Sequence, residues 1–222
     1  MNALFSFIDQ MTKKYGIDES HGLKHAKGTL ARAQLLLKFF QDATIEERKM
    51  SLYAAALHDM CDSKYSNVDM SSFEIKEWLI EQGWRHQDAA ALIAIITTMS
   101  YSKLKKANSD KEAGPLIYPN HGRWQRAYHI ARHADLLEAY IVARCKLYNE
   151  QIHPEKSEDE HWLAVRSLFD TRVFNYVKDG WIFFPSAITS AAELEREAMK
   201  CFETRSLIWP EPVLDIDDPA LA

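Results

Sequence analysis

The chain has 222 residues, 47% of them hydrophobic and 27% charged, which is enough to build one sizeable core. Its net charge of -5 provides no global positive field, and this argues against a polymeric nucleic-acid partner. Three cysteines without CxxC spacing argue against a disulfide framework, and no run approaches the roughly 18 apolar residues of a membrane span. We therefore expect a cytoplasmic protein with no membrane partner. The oligomeric state stays open, with a homodimer as one alternative.

Apolar residues recur every three or four positions between only 7 Gly and 7 Pro, a pattern that predicts an all-α fold. The predicted helices cover, in chain order, 2–15, 22–41, 45–61, 72–82, 86–99, 122–149, 158–178 and 191–206. Residues 100–121 are predicted to form a long loop. We expect residues 1–210 to form one domain, followed by an extended or disordered tail at 211–222.

Four capping boxes support the predicted helix starts, because a Ser or Thr followed three residues later by Glu can satisfy free backbone amides. The boxes are Thr44 with Glu47, Ser71 with Glu74, Ser157 with Glu160, and Ser190 with Glu193.

The dipeptide His58-Asp59 ends a predicted helix that is apolar from Leu52 through Leu57. At the end of a rigid apolar helix, an imidazole and a carboxylate can be directed into one pocket and can reach one ion. The alternative is a histidine that caps its helix beside a solvated acid. The dipeptide is informative only together with other segments.

Two further segments supply candidate ligands. His21 and His25 are spaced i and i+4 on one helix face, so either could contact the same ion. Asp135 lies in a helix among Ala, Leu and Ile, where a buried carboxylate needs a cation or a hydrogen-bond partner. That partner could also be structural, in the form of Arg132 or Arg144.

The ordered set His25, His58-Asp59 and Asp135 resembles the H…HD…D signature of the HD superfamily. The segment LHDMCDSKY resembles the LHD-x-x-D-x-K pattern of bacterial HD phosphohydrolases that act on nucleotides, and ADLLEAYIVAR resembles their D-x-L-x-A-x-x-x-A-R pattern. The stretch from Ile95 to Lys103 is similar to the family's apolar helix ending in a S-[FY]-S turn. The resemblance covers about residues 20–145.

Two segments depart from the family pattern. Gly28 and Thr29 stand where the family commonly continues its first ligand histidine as H-x-x-R-V. His133 precedes Asp135 where many relatives have a D-x-D sequence.

The resemblance implies a single-domain HD-type helical bundle that hydrolyses a phosphate ester or anhydride, with a phosphorylated small molecule, a nucleotide above all, as substrate. It implies that the ligands of the divalent cofactor are His25, His58, Asp59 and Asp135. The ion is expected to be Mn²⁺, Mg²⁺ or a similar ion, with Fe²⁺, Co²⁺ and Ni²⁺ as alternatives.

The expected catalytic residues are Asp62, which orients or activates water, and Lys64. The expected substrate-binding residues are Lys103 and Arg144. Lys103 opens a lysine-rich run that ends at Lys111, which is either a solvated loop or a lid that neutralises substrate phosphates.

Two other functions remain open. HD-like bundles with extra histidines can hold two irons and oxygenate a small organic substrate, which iron content and oxygen uptake would reveal. A second metal would recruit His86, His121 or His129. The other alternative is a non-catalytic module that senses a nucleotide, for which binding would saturate without turnover.

Overall fold

A computed structural model describes residues 1–109 and 115–221, and over these residues the fold is all-α, as predicted, with no strand. The helices are α1 (Asn2–Tyr15), α2 (Leu23–Leu37), α3 (Ile45–Leu57), α4 (Val68–Glu81), α5 (His86–Thr98), α6 (Tyr101–Ala107), α7 (Gln125–Glu138), α8 (Val142–Ile152), α9 (Glu158–Thr171) and α10 (Pro185–Thr204). Short 3₁₀ turns occur at Gly122–Trp124, Val173–Asn175 and Pro219–Leu221.

Two of the four predicted capping boxes mark true helix starts. Thr44 accepts a hydrogen bond from the backbone nitrogen of Glu47 at the start of α3. Ser157 and Glu160 form a complete, reciprocal box at the start of α9. In both places the local polar pattern and the helix boundary coincide.

The other two predicted boxes are wrong, because stronger start signals lie upstream of them. The side chain of Asn67 accepts from the backbone nitrogens of Asp69 and Met70, so α4 begins before Ser71. Helix α10 begins with Pro185 at its first position, which places Ser190 inside the helix.

The predicted helix at 122–149 is divided in two at residues 139–141. The amides of Tyr140 and Ile141 bond to the carbonyls of Leu137 and Glu138, three residues back, and this tightens the last turn of α7. The predicted loop at 100–121 contains the short helix α6, and the predicted helix at 158–178 ends at Thr171. None of these breaks carries a Gly or Pro at the boundary itself.

Helices α2, α3 and α7 pack closely against one another and form the centre of the fold. At the contact between α2 and α7, a Cβ added to Gly28 would collide with the carboxylate of Glu138. That buried carboxylate accepts a hydrogen bond of 3.1 Å from Nε of Arg32. Gly28 therefore makes room for the side chain of Glu138 on α7. The cation that balances this carboxylate is Arg32, one turn further along α2.

Residues 206–218, which include most of the predicted tail, run without regular secondary structure along the outside of this core. The side-chain amide of Gln34 bonds to both the carbonyl and the amide of Asp215, at 2.8 and 3.0 Å. Arg48 pairs with the buried carboxylate of Asp218 at 2.8 Å. The turn that ends at Leu221 is buried against α3, so the segment is tied down along its length.

Within the described ranges, no helix is both long and apolar enough to cross a membrane.

Candidate metal centre and its cavity

The three central helices bring together the four side chains that the ordered motifs selected. Nε2 of His25 lies 3.2 Å from Nε2 of His58, 3.3 Å from Oδ2 of Asp59 and 3.5 Å from Oδ1 of Asp135. Nε2 of His58 lies 3.2 and 3.3 Å from the same two carboxylate oxygens. Each of the two carboxylate oxygens therefore lies beside both imidazole nitrogens, one of which comes from α2 and the other from the end of α3.

These separations fit a divalent ion, because donors held about 2.0–2.2 Å from one ion lie about 3.0–3.6 Å from each other. Among the described residues, Oδ2 of Asp59 is buried and has no hydrogen-bond partner. A buried carboxylate oxygen in that state is stabilised by a positive charge nearby, which the imidazoles or a bound ion can supply. Two imidazoles and two carboxylates are a donor set that Mn²⁺, Fe²⁺, Co²⁺ and Zn²⁺ all accept.

The ring of His58 is oriented by its own helix. Its Nδ1 lies 2.8 Å from the carbonyl of Ala55, and since a carbonyl only accepts, Nδ1 donates the hydrogen. In the neutral ring this leaves the lone pair of Nε2 directed at the cluster. The bond therefore holds His58 in the tautomer that can bind a metal.

The charged groups of the cluster stabilise one another. Burial alone would lower the pKa of His58, but the carboxylates of Asp59 and Asp135 hold it well above its ordinary value. Burial alone would raise the pKa of each carboxyl group, but the imidazoles, His58 foremost, hold these pKa values well below the usual range. A divalent cation would take the place of the His58 proton.

A cavity of about 320 Å³ opens beside the cluster, and all the predicted catalytic and substrate-binding residues line it. Asp62 accepts a bond from the backbone nitrogen of Lys64, and its Oδ2 lies 3.7 Å from Nζ of Lys64. Lys103 Nζ donates to the carbonyl of Thr97 at 2.9 Å. Nε of buried Arg144 donates to the carbonyl of Ser20 at 2.7 Å, which fixes the guanidinium in the wall.

Arg172 also lines this cavity, and no sequence motif pointed to it. It follows α9, in the part of the chain beyond the family resemblance. Its Nε donates to the hydroxyl of Tyr176 at 2.7 Å, and its guanidinium lies 4.0 Å from the ring centre of Tyr101. The hydrogen bond and the stacking hold a fourth cation at the wall, beside Lys64, Lys103 and Arg144.

His21, the alternative ligand on α2, lines the cavity but belongs to a separate network. Its Nδ1 lies 2.8 Å from the hydroxyl of Ser20, 3.0 Å from that of Tyr65 and 3.5 Å from a carboxylate oxygen of Asp18. Both hydroxyls also donate to the carboxylate of Asp18. Burial alone would raise the pKa of Asp18, but its hydrogen bonds with His21, Ser20 and Tyr65 outweigh burial and hold the pKa well below its usual range.

Asp135 has the two imidazoles as its ion-pair partners, rather than the arginines considered as structural alternatives. Within the described ranges, one group of three or more His, Cys, Asp or Glu side chains lies at mutual ligand distance; it contains His25, His58 and Asp135, but not the fourth predicted ligand, Asp59. The second-metal candidates His86, His121 and His129 are not part of it. Lys111 lies outside the described residues.

Comparisons with known proteins support the fold. No family model matches the chain, and no curated protein matches it. The chain is similar to a crystal structure of a Lactobacillus plantarum protein that was a structural genomics target, with a TM-score of 0.64 and 21% identity over 92% of this chain and 93% of that one. Likeness at this identity concerns the fold alone.

Proposed function

We propose that the chain is a metal-dependent phosphohydrolase of the HD type that cleaves a phosphate ester or anhydride bond of a nucleotide. The observation that supports this most strongly is that two imidazole nitrogens lie 3.2 Å apart and each lies within 3.2–3.5 Å of two carboxylate oxygens, at the edge of a cavity lined by four cations. A metal centre beside positive charge suits an anionic substrate that needs activation at phosphorus.

The chemistry that a divalent ion supplies when bound by these side chains is Lewis acidity, which polarises a phosphoryl oxygen and makes water a better nucleophile. Asp62, in the cavity wall, is placed to orient the attacking water and to accept its proton. Lys64 keeps Asp62 in position through their close charge contact. In this proposal, His25, His58, Asp59 and Asp135 hold the ion, and Asp62 accepts the proton.

The four cations in the cavity wall support a substrate that carries phosphate groups. Arg144 is buried and fixed by its bond to Ser20, so it can hold a phosphate oxygen without losing much side-chain freedom. Lys103 and Arg172 extend the positive lining, so that more than one phosphate can be bound. Three tyrosines complete the wall and offer ring surfaces to a nucleoside: Tyr101, Tyr148 and Tyr176.

The test is release of phosphate and pyrophosphate from a panel of nucleoside mono-, di- and triphosphates with Mn²⁺, Mg²⁺, Co²⁺ or Fe²⁺. We expect turnover by the wild type, and a loss of at least about 10³-fold in Asp59→Ala, because both metal binding and charge stabilisation are removed. The matched control is Asp69→Ala, which removes an exposed carboxylate from the first turn of α4.

Equal loss in both variants would assign the effect to folding rather than to chemistry. If the folded, metal-loaded wild type releases neither product, the phosphohydrolase proposal is wrong. Oxygen uptake with bound iron would then identify the oxygenase alternative, and saturable nucleotide binding without turnover the sensing module.

A further inference from the structure

A second buried polar cluster lies on α7, in the two turns that precede Asp135. It consists of Arg132 with Tyr128, His129 and His133 of the same helix, and Tyr118 from the preceding segment; we call it the Arg132 cluster. Arg132 is 1% exposed and is absent from the lining of the cavity beside the metal centre. The cluster is therefore separate from the proposed active site.

The guanidinium of Arg132 is buried, and among the described residues no carboxylate is hydrogen-bonded to it. None of its three nitrogens has a hydrogen-bond partner within the described ranges. Its central carbon lies 4.7 Å from the ring centre of Tyr118 and 5.7 Å from that of Phe183. Contact with ring faces stabilises the cation but leaves its N–H groups, which lie in the guanidinium plane, without acceptors.

The neighbouring side chains are polar but bring no negative charge. The hydroxyl of Tyr128 and Nδ1 of His129 are buried, and neither has a hydrogen-bond partner among the described residues. Burial, with the charge of Arg132 next, lowers the pKa of His129 to about 4, so this ring is uncharged at neutral pH. Each of these two groups can donate one hydrogen to an anion.

The nearest carboxylate on the same helix is already engaged. Asp135 follows Arg132 by three residues, but its Oδ1 lies 3.5 and 3.3 Å from the imidazole nitrogens of His25 and His58. An unpaired buried cation with unpaired donors around it is costly, and each missing acceptor adds to that cost. A small anion beside the guanidinium would supply both an acceptor and an opposite charge.

We propose that the Arg132 cluster binds a small monovalent anion of halide size, held by the in-plane N–H groups of Arg132 and by the Tyr128 hydroxyl. The neutral ring of His129 can donate one further N–H. Tyr118 and Phe183 cover the guanidinium on its faces, so the anion lies in its plane. The site does not depend on the proposed phosphohydrolase activity.

The experiment uses sodium bromide and sodium chloride on the full chain. Crystals of the wild type grown in bromide should show an anomalous difference peak within hydrogen-bonding distance of the Arg132 guanidinium. In solution, replacing gluconate with chloride at constant ionic strength should raise the thermal midpoint of the wild type by about 2–4 °C. Arg132→Met, which keeps an unbranched apolar side chain, should lose this rise.

The matched control is Arg123→Met, because Arg123 has an exposed side chain (60%) that pairs with Asp88. It should keep the full chloride response. Bromide density absent from the cluster, or water alone in that position, would overturn the proposal. An equal chloride response in the wild type and Arg132→Met would overturn it as well. If Arg132→Met does not fold, the bromide peak in the wild type decides the question.

Discussion

Helix α7 contributes to two buried polar clusters, and the two differ in how their charged groups are paired. Asp135 lies within 3.5 Å of the Nε2 atoms of two imidazoles. Arg132, one turn earlier on the helix, packs against aromatic rings, and its nitrogens have no hydrogen-bond partner among the described residues. The carboxylate is therefore directly paired, whereas the guanidinium is not.

The difference shows how two kinds of ligand site can arise from one helix. Carboxylates that face imidazoles leave a gap for a cation, because a metal ion can replace the protons between them. Unpaired N–H groups leave a gap for an anion. Mn²⁺ should therefore stabilise the protein through the cluster around Asp135, and chloride should stabilise it through the Arg132 cluster. Each ion should have little effect at the other cluster.

The largest expected effect is that stabilisation by each ion is lost in one variant and kept in the other. At a Mn²⁺ concentration about 100 times the dissociation constant, the wild type should gain about 2.7 kcal/mol of stability, or about 5–10 °C in thermal midpoint. Asp135→Asn should lose this gain, and Arg132→Met should keep it. Calorimetric scans of both variants with and without Mn²⁺ measure this gain. If both variants lost it, the two clusters would not be independent.

The next effect concerns the cation from the unmatched part of the chain. Arg172→Gln should lower kcat/KM for a nucleoside triphosphate by about tenfold to hundredfold, mainly by raising KM, because one charged hydrogen bond is lost. Arg166→Gln is the control, since Arg166 lies on α9 and pairs with Asp170 away from the cavity. Unchanged steady-state kinetics in Arg172→Gln would remove Arg172 from the proposed substrate site.

A third prediction tests the contact that sets α2 against α7. Gly28→Ala should lower the free energy of unfolding by about 1–3 kcal/mol, because the added methyl group meets the carboxylate of Glu138. In a Glu138→Ala background the same substitution should cost much less. Urea unfolding of the four chains measures this coupling, and equal costs in both backgrounds would contradict the collision.

The smallest effect is a pH dependence from the Arg132 cluster. The pKa of His129 falls from an ordinary 6.5 to about 4 in the folded protein. Between these values the unfolded chain binds a proton that the folded chain does not, so stability is full above pH 6.5 and falls as the pH drops toward 4. In chloride-free buffer His129→Gln should flatten this decline; a slope identical to that of the wild type would contradict the buried, neutral state of His129.

The helical class and most of the helix positions could be predicted because apolar periodicity is a local signal. The starts of α4 and α10 were misplaced because a Ser followed by Glu also occurs inside helices, where Asn67 and Pro185 had already fixed the start. The break between α7 and α8 has no Gly or Pro to announce it. Breaks of this kind depend on tertiary packing, which a local pattern does not contain.

At the site, the ordered motifs selected four side chains whose atoms the fold places together. Arg172 was missed because a lone arginine after a helix has no pattern of its own, and only folding brings it beside Tyr101 and Tyr176. The pairing of Gly28 with Glu138 joins residues 110 positions apart, so it too becomes visible only in three dimensions. The sequence could not show that the buried Arg132 nitrogens have no hydrogen-bond partner among the described residues, for the same reason.

The central claim is that His25, His58, Asp59 and Asp135 form one metal site, and anomalous diffraction from crystals grown with Mn²⁺ tests it most directly. The account predicts one strong peak between the four side chains, about 2.0–2.3 Å from both Nε2 atoms and from one oxygen of each carboxylate. A cluster without a peak at saturating Mn²⁺, or a Mn²⁺ ion bound only elsewhere on the chain, would contradict it.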